Sequence, residues 1–120
     1  MALRYSIVIG FVLCLIFPAV AKTQAVEKVA EALQTIDQAG PQGRGSKAAS
    51  QAADRLLQEG IEILPQLFEH MNTDNLVAAN WCRYVYQQIV PRELAKPKPQ
   101  IPADFLRSYI LSSKHQGRAR

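Results

Sequence analysis

Apolar and polar positions repeat with a helical period along most of the chain. From Gln24 to Gln38, Val26, Val29, Ala30, Leu33 and Ile36 recur at steps of three and four, while Glu27, Lys28, Glu31 and Gln34 take the other faces. This spacing predicts an amphipathic helix. The run Gly40-Pro41-Gln42-Gly43-Arg44-Gly45 must end it, because glycine opens positive backbone angles and proline lacks an amide donor. Ser46 is placed to cap a second helix, which the alanines between Ala48 and Ala53 help to propagate. Ala53, Leu56, Leu57, Leu64, Leu67, Phe68 and Met71 continue one apolar stripe, interrupted by Gly60 and Pro65. A proline deep in a helix loses a backbone hydrogen bond and collides with the carbonyl four residues back, here Ile61. A kink or a restart is therefore expected.

Asn72-Thr73-Asp74 reads as a turn whose short polar side chains cap the next helix, about Asn75 to Val90. At roughly 100° per residue, Val77, Ala78, Trp81, Val85 and Ile89 share its apolar arc. Cys82 falls at the margin of that arc, and Asn80, Arg83 and Gln87 lie opposite. Pro91 is expected to end or kink the helix. Lys96-Pro97-Lys98-Pro99 with Pro102 predicts a stiff extended connector. Pro102 also suits a helix start; Phe105, Leu106, Tyr109 and Ile110 then form a last apolar face. No strand pattern of useful length occurs, so the expected fold class is all-α.

The first 21 residues have a different pattern. Arg4 precedes a continuous apolar stretch from Ser6 to Phe17, and Pro18 is followed by Ala19-Val20-Ala21. A basic start, a short apolar core and small residues at the cleavage positions predict a secretory signal peptide cut after Ala21. The working chain then begins at Lys22 and acts in the periplasm or outside the cell. An uncleaved anchor would need about 20 apolar residues, more than this run supplies. Cys14 follows Val12-Leu13 and lacks the small residues that precede a lipidated cysteine.

Removing the leader takes away one of 14 basic residues and none of 10 acidic ones, leaving a net charge of +3. Pairs such as Glu27-Lys28, Asp54-Arg55 and Arg92-Glu93 mix the signs, as on a solvated helical surface, and only the C-terminal stretch is plainly basic. Nucleic-acid binding is not expected. Weak anionic-surface binding through Lys114, Arg118 and Arg120 ranks last among the possible functions. Cleavage also leaves Cys82 without a second cysteine, so no intramolecular disulfide can form.

The residues that carry chemistry form no constellation. Cys82 has no identifiable base to activate it and reads as a quiet, half-buried thiol. His70 and His115 have no further histidine or cysteine at metal-ligand spacing, and His70 is expected at a helix C-terminus, where the dipole favours its cation. The loop from Gly40 to Gly45 follows a helix rather than a strand and lacks the lysine-serine ending of a phosphate loop; it reads as a flexible connection. Trp81 with Tyr84 and Tyr86 could form an aromatic recognition surface, but the place of Trp81 mid-arc favours the core, with Tyr86 expected toward solvent. No catalytic, cofactor-binding or metal-binding residue is assigned, and no cofactor is expected.

The segment from Ile61 to Ile89 resembles a HEAT repeat. Leu64-Pro65-Gln66-Leu67-Phe68 falls where that family has its Leu-Pro and following leucines, Asn72 to Asp74 where it has an acidic turn, and Val77 with Ala79 where it has its valine and alanine. Ala78 stands in place of the usual arginine. A shift of 41 residues lays Phe105 to Leu111 over Leu64 to His70, and Gly117-Arg118-Ala119-Arg120 over Leu76-Val77-Ala78-Ala79; this spacing suits a HEAT period. The resemblance implies antiparallel helix pairs of α-solenoid type and the N-terminal part of a larger exported bacterial protein. The expected organisation is a signal peptide over 1–21, a first helix and Gly-rich loop over 22–45, a HEAT-like repeat over 46–94, and a Pro-rich connector with an incomplete second repeat over 95–120. The expected function is non-enzymatic: a scaffold segment binding a protein partner or further domains of its own parent chain, with no stable membrane span after cleavage. The alternative is the N-terminal accessory region of an exported enzyme whose catalytic domain lies elsewhere.

Overall fold

The computed structural model describes residues 17–112, with side chains from Val20 onward. The leader before Phe17, including Cys14, and the tail carrying Lys114, His115, Arg118 and Arg120 lie outside the described residues. The expected overlay of Gly117 to Arg120 on Leu76 to Ala79 lies outside them too. Within them the chain is all-α, with helices α1 (Phe17–Asp37), α2 (Ser46–Leu56), α3 (Leu64–Met71), α4 (Leu76–Leu94) and α5 (Ala103–Leu111). Two 3-10 turns, Pro41–Gly43 and Ile61–Ile63, lead into α2 and α3, and no strand occurs among the described residues.

Helix α1 is exposed on every side from Val20 to Lys28 and begins to pack at Val29. Its buried face is Val29, Ala32, Leu33 and Ile36, extended by Ala39 just past its end. Val26 is 57% exposed, because no neighbouring helix reaches that far toward the N-terminus, and Ala30 points off the face altogether. Both depart from the expected stripe. Opposite this face α2 buries Ala49, Ala52, Ala53 and Leu56. Three alanines in four buried positions let the two backbones approach closely, and α1 with α2 is one of the two extensive helix pairings among the described residues, the other being α3 with α4.

Ser46 is the first residue of α2 rather than its cap. Gly45 takes the capping position with φ +68, a left-handed conformation that glycine adopts without steric cost. Its carbonyl accepts the Ala49 amide at 2.9 Å. The loop before it is ordered from within: Gly40 N–H donates to the Arg44 carbonyl at 2.9 Å, and Arg44 N–H to that of Pro41 at 3.3 Å.

The stripe expected to continue from α2 into α3 is cut in two. Helix α2 stops at Leu56, Gly60 is extended, and α3 restarts at Leu64 with Pro65 in its first turn. The expected collision with Ile61 does not arise, since the Leu64 amide takes the Ile61 carbonyl in 3-10 fashion. A proline in the first turn also forfeits no intrahelical bond. Helix α3 then buries Leu64, Leu67 and Met71.

Helix α4 crosses Pro91 and runs one turn further, to Leu94. The carbonyl that loses its donor belongs to Gln87, which is exposed, as is Pro91; water can serve it there, so neither the expected stop nor a break occurs. The buried arc of α4 is Ala78, Ala79, Cys82, Val85, Ile89 and Glu93. It is turned by roughly half a residue step from the expected arc, placing Cys82 at its centre and Val77 and Trp81 at its edge.

The chain reverses between α3 and α4, so Phe68 meets Tyr86 while Leu57 and Glu59 meet Arg92. Two antiparallel pairs, α1 with α2 and α3 with α4, close over one core; the first helix shares it with segment 46–94. Helix α5 lies against α3, with Phe105 and Tyr109 beside the Phe68 ring.

Candidate functional site

The polar side chains that do most in this fold fasten helix ends. Asn75 accepts hydrogen bonds at Oδ1 from the Val77 and Ala78 amides, 3.2 and 3.3 Å away, and so caps α4. Its Nδ2 donates to the carbonyls of Asp37 at 3.0 Å and Ala39 at 2.7 Å, closing the C-terminal end of α1. The cap is thus Asn75 and not the preceding Asn72-Thr73-Asp74; Thr73 contributes Oγ1 as acceptor for the Asn75 amide at 3.1 Å. His70 ends α3 as expected, and its Nδ1 lies 2.9 Å from Oδ2 of Asp37.

Arg92 and Glu93 are not simply a solvated charge pair. Arg92 spreads its guanidinium over two backbone carbonyls, Leu57 at 2.7 Å and Glu59 at 2.6 Å, just past the end of α2. A planar fork suits two acceptors in a way that a lysine does not. Glu93 is only 3% exposed, under a thin cover formed by the loop that follows it. Its Oε2 lies 2.6 Å from Nζ of Lys96, and its Oε1 accepts the Gln100 amide at 2.9 Å. The Lys96 hydrogen bond, and then that from Gln100, hold its carboxyl below the usual carboxylate range.

Phe68 stacks on Tyr86 at 5.5 Å between ring centroids and is flanked by Tyr109 at 5.2 Å and Phe105 at 6.3 Å. Tyr86 is therefore half-buried in an aromatic cluster, against the expectation that it faces solvent. The Tyr109 hydroxyl donates to the Phe68 carbonyl at 2.6 Å, in the last turn of α3, where helix carbonyls lack intrahelical donors. Burial pushes the Tyr109 phenol up to about 12, and the Glu69 charge adds to this.

Cys82 is fully buried rather than half-buried; burial pushes its thiol up to about 12, with the Asp37 carboxylate adding to the effect. Among the described residues no three histidine, cysteine, aspartate or glutamate side chains gather as a metal site. No described helix is long and apolar enough to cross a membrane. A shallow groove of about 450 Å³ between α1 and α2 has Lys28, Glu31, Arg55 and Glu59 on its rim and Ala32 and Leu56 at its floor. Its charges alternate in sign, so it offers no field to a simple anion or cation.

One surface stands out on the outside of α4. Val77, Trp81, Tyr84 and Gln88 follow one another at helical spacing along one edge, next to the buried arc. Val77 and Trp81 are half-buried, and Tyr84 is 42% exposed with its ring edge-on to Trp81 at 6.2 Å. The apolar spacing predicts Trp81 in the core; the turned arc moves it to the rim, where one side packs and the other faces out. The chain matches no family model, no curated protein and no solved structure.

Proposed function

We propose that this is an exported, non-enzymatic helical-repeat protein that binds another protein through the outer edge of α4. The observation that carries the reading is the Val77–Trp81–Tyr84 edge, a Trp-Tyr pair held open on a rigid helix that is fastened at both ends by Asn75 and Arg92. Tryptophan and tyrosine are favoured interface anchors, since each brings a large rigid area at little conformational cost. Fixing the helix in advance removes part of the ordering cost of association.

Support for a repeat of HEAT-like solenoid type comes from the register of α5. The 41-residue shift that aligns Phe105 to Leu111 with Leu64 to His70 pairs Tyr109 with Phe68, and these two residues touch through both ring and hydrogen bond. Stacked repeats meet their neighbours at like positions. Export to the periplasm or beyond rests on the leader. It is compatible with an α1 that is exposed from Val20 to Lys28, so that the described side chains on both sides of the Ala21 cut lie outside the core.

The test is site-specific photocrosslinking in the exporting host, with benzoylphenylalanine placed at Tyr84 or, as a control, at Gln51 on the exposed face of α2. A discrete protein adduct at position 84 that is absent at position 51 is expected. Equal labelling at both positions, or none at either, overturns the reading.

A further inference from the structure

Helix α5 differs from the other four in how it is held. Its central anchor is Tyr109, fully buried, whose hydroxyl bonds to a backbone carbonyl. Phe105 and Leu106 are only partly covered, and Ile110 and Leu111 are 55% and 77% exposed. The other described helices close over one another in a body to which α5 adds an outer layer. The segment that joins them, residues 95–102, carries Pro97, Pro99 and Pro102. Proline-rich chain prefers a stiff extended form of about 3.1 Å per residue, yet here it is folded back against the end of α4. Glu93 holds it there, gripping Lys96 with one carboxylate oxygen and the Gln100 amide with the other.

We propose that α5 is an exchangeable helix, and that Glu93 is the latch that keeps it on its own chain. With the latch open the connector extends, and α5 docks on the Phe68–Tyr86 face of a second copy while that copy's α5 docks in return. The chemistry of the face selects its occupant. The face receives an aromatic at one position and a tyrosine four residues on, with the hydroxyl directed at the Phe68 carbonyl, and a second copy's Phe105 and Tyr109 meet that description identically. Eight residues at about 3.1 Å span roughly 25 Å, enough to carry the helix from one body to the next. Every α5 contact survives the exchange. What is lost is the folded-back connector, and what is relieved is the bend imposed on its prolines. Exchange of identical elements is a low-cost route to a dimer for this reason. The exchanged face, centred on Phe68, lies apart from the Val77–Trp81–Tyr84 edge of α4.

The experiment measures mass by light scattering over a concentration series for the purified full chain and three variants. Glu93→Ala removes the acceptor for the Gln100 amide, a bond that only the closed monomer uses, so the dimer dissociation constant should fall by about tenfold or more. Pro97→Ala with Pro99→Ala relaxes the connector and should move the equilibrium the opposite way. Glu93→Ala with Tyr109→Ala should be monomeric, its α5 amides exchanging freely while α1 to α4 stay protected. The inference is overturned if Glu93→Ala remains monomeric with α5 amides still protected, or if a dimer persists when Tyr109 is also replaced.

Discussion

Asn75 is the residue whose replacement tests the packing most sharply, because four hydrogen bonds meet on one side chain and join two helices. Asn75→Ala removes the α4 cap, which costs about 1 kcal/mol. It also strips the donor from two carbonyls. That of Ala39 is partly buried, and its loss costs about 1 kcal/mol more; that of Asp37 is exposed, so water replaces most of its bond. The sum is about 2 kcal/mol, or a fall in melting temperature of roughly 8–16 °C for a domain of this size. Asn75→Ser restores an acceptor for the Val77 and Ala78 amides but no donor for α1, and should recover about 1 kcal/mol of the loss. Asn75→Asp keeps the cap but turns a carboxylate toward two carbonyl oxygens, so it should be no better than serine. Urea unfolding followed by far-ultraviolet circular dichroism reads all three. If Asn75→Ala costs less than about 0.5 kcal/mol, or if serine matches the wild type, the inference that one side chain fastens both helices is refuted.

Arg92→Lys should lower stability by about 1 kcal/mol, because a single ammonium cannot span the Leu57 and Glu59 carbonyls; an unchanged urea midpoint would show that the fork contributes nothing. Cys82 should react with an alkylating reagent at pH 8 at least about a thousandfold more slowly in the folded chain than in urea, given a thiol pushed from 9.0 to about 12. Prompt native-state labelling would contradict its burial. The Tyr109 phenol ionises near 10 when unfolded and near 12 when folded. Its contribution to stability is thus complete below pH 10 and is lost as pH rises through 12. Tyr109→Phe should flatten that alkaline decline, visible in melting curves taken from pH 9 to 12, and an identical decline in both proteins would place its cause elsewhere.

The helices were legible because their apolar periods are local. Val29, Leu33 and Ile36 mark α1, and Val85 and Ile89 mark α4, without knowledge of what they pack against. Which part of each stripe is buried was not legible, because that depends on the neighbour. Val26 has the right spacing and no helix opposite, while Trp81 lost the centre of its arc to Cys82 once α3 and α1 took their places. Pro65 and Pro91 show the same dependence. One became harmless at a helix start, and the other at an exposed turn where water serves the freed carbonyl. Nothing in the sequence shows what Asn75 or Arg92 fastens, and the 41-residue overlay pairs Tyr109 with Phe68 without showing that they bond. Asn75 with Ala39, Arg92 with Leu57 and Tyr109 with Phe68 join residues 36, 35 and 41 positions apart, and each accepting atom is a backbone carbonyl that any residue carries. The candidate docking edge was half legible: Trp81 and Tyr84 stand three residues apart in the sequence, but their exposure follows from the turn of the α4 arc.

The claim that the outer edge of α4 is a docking surface is tested most directly by Trp81, the chain's single tryptophan. Once the partner crosslinked at position 84 is in hand, acrylamide quenching of Trp81 emission is measured in the free chain and in the complex. Trp81 should be quenched readily when free and shielded when bound, and Tyr84→Asp should weaken binding by about tenfold or more without lowering the melting temperature. If the partner binds while Trp81 remains as accessible as before, the binding surface lies elsewhere and the assignment of the α4 edge is wrong.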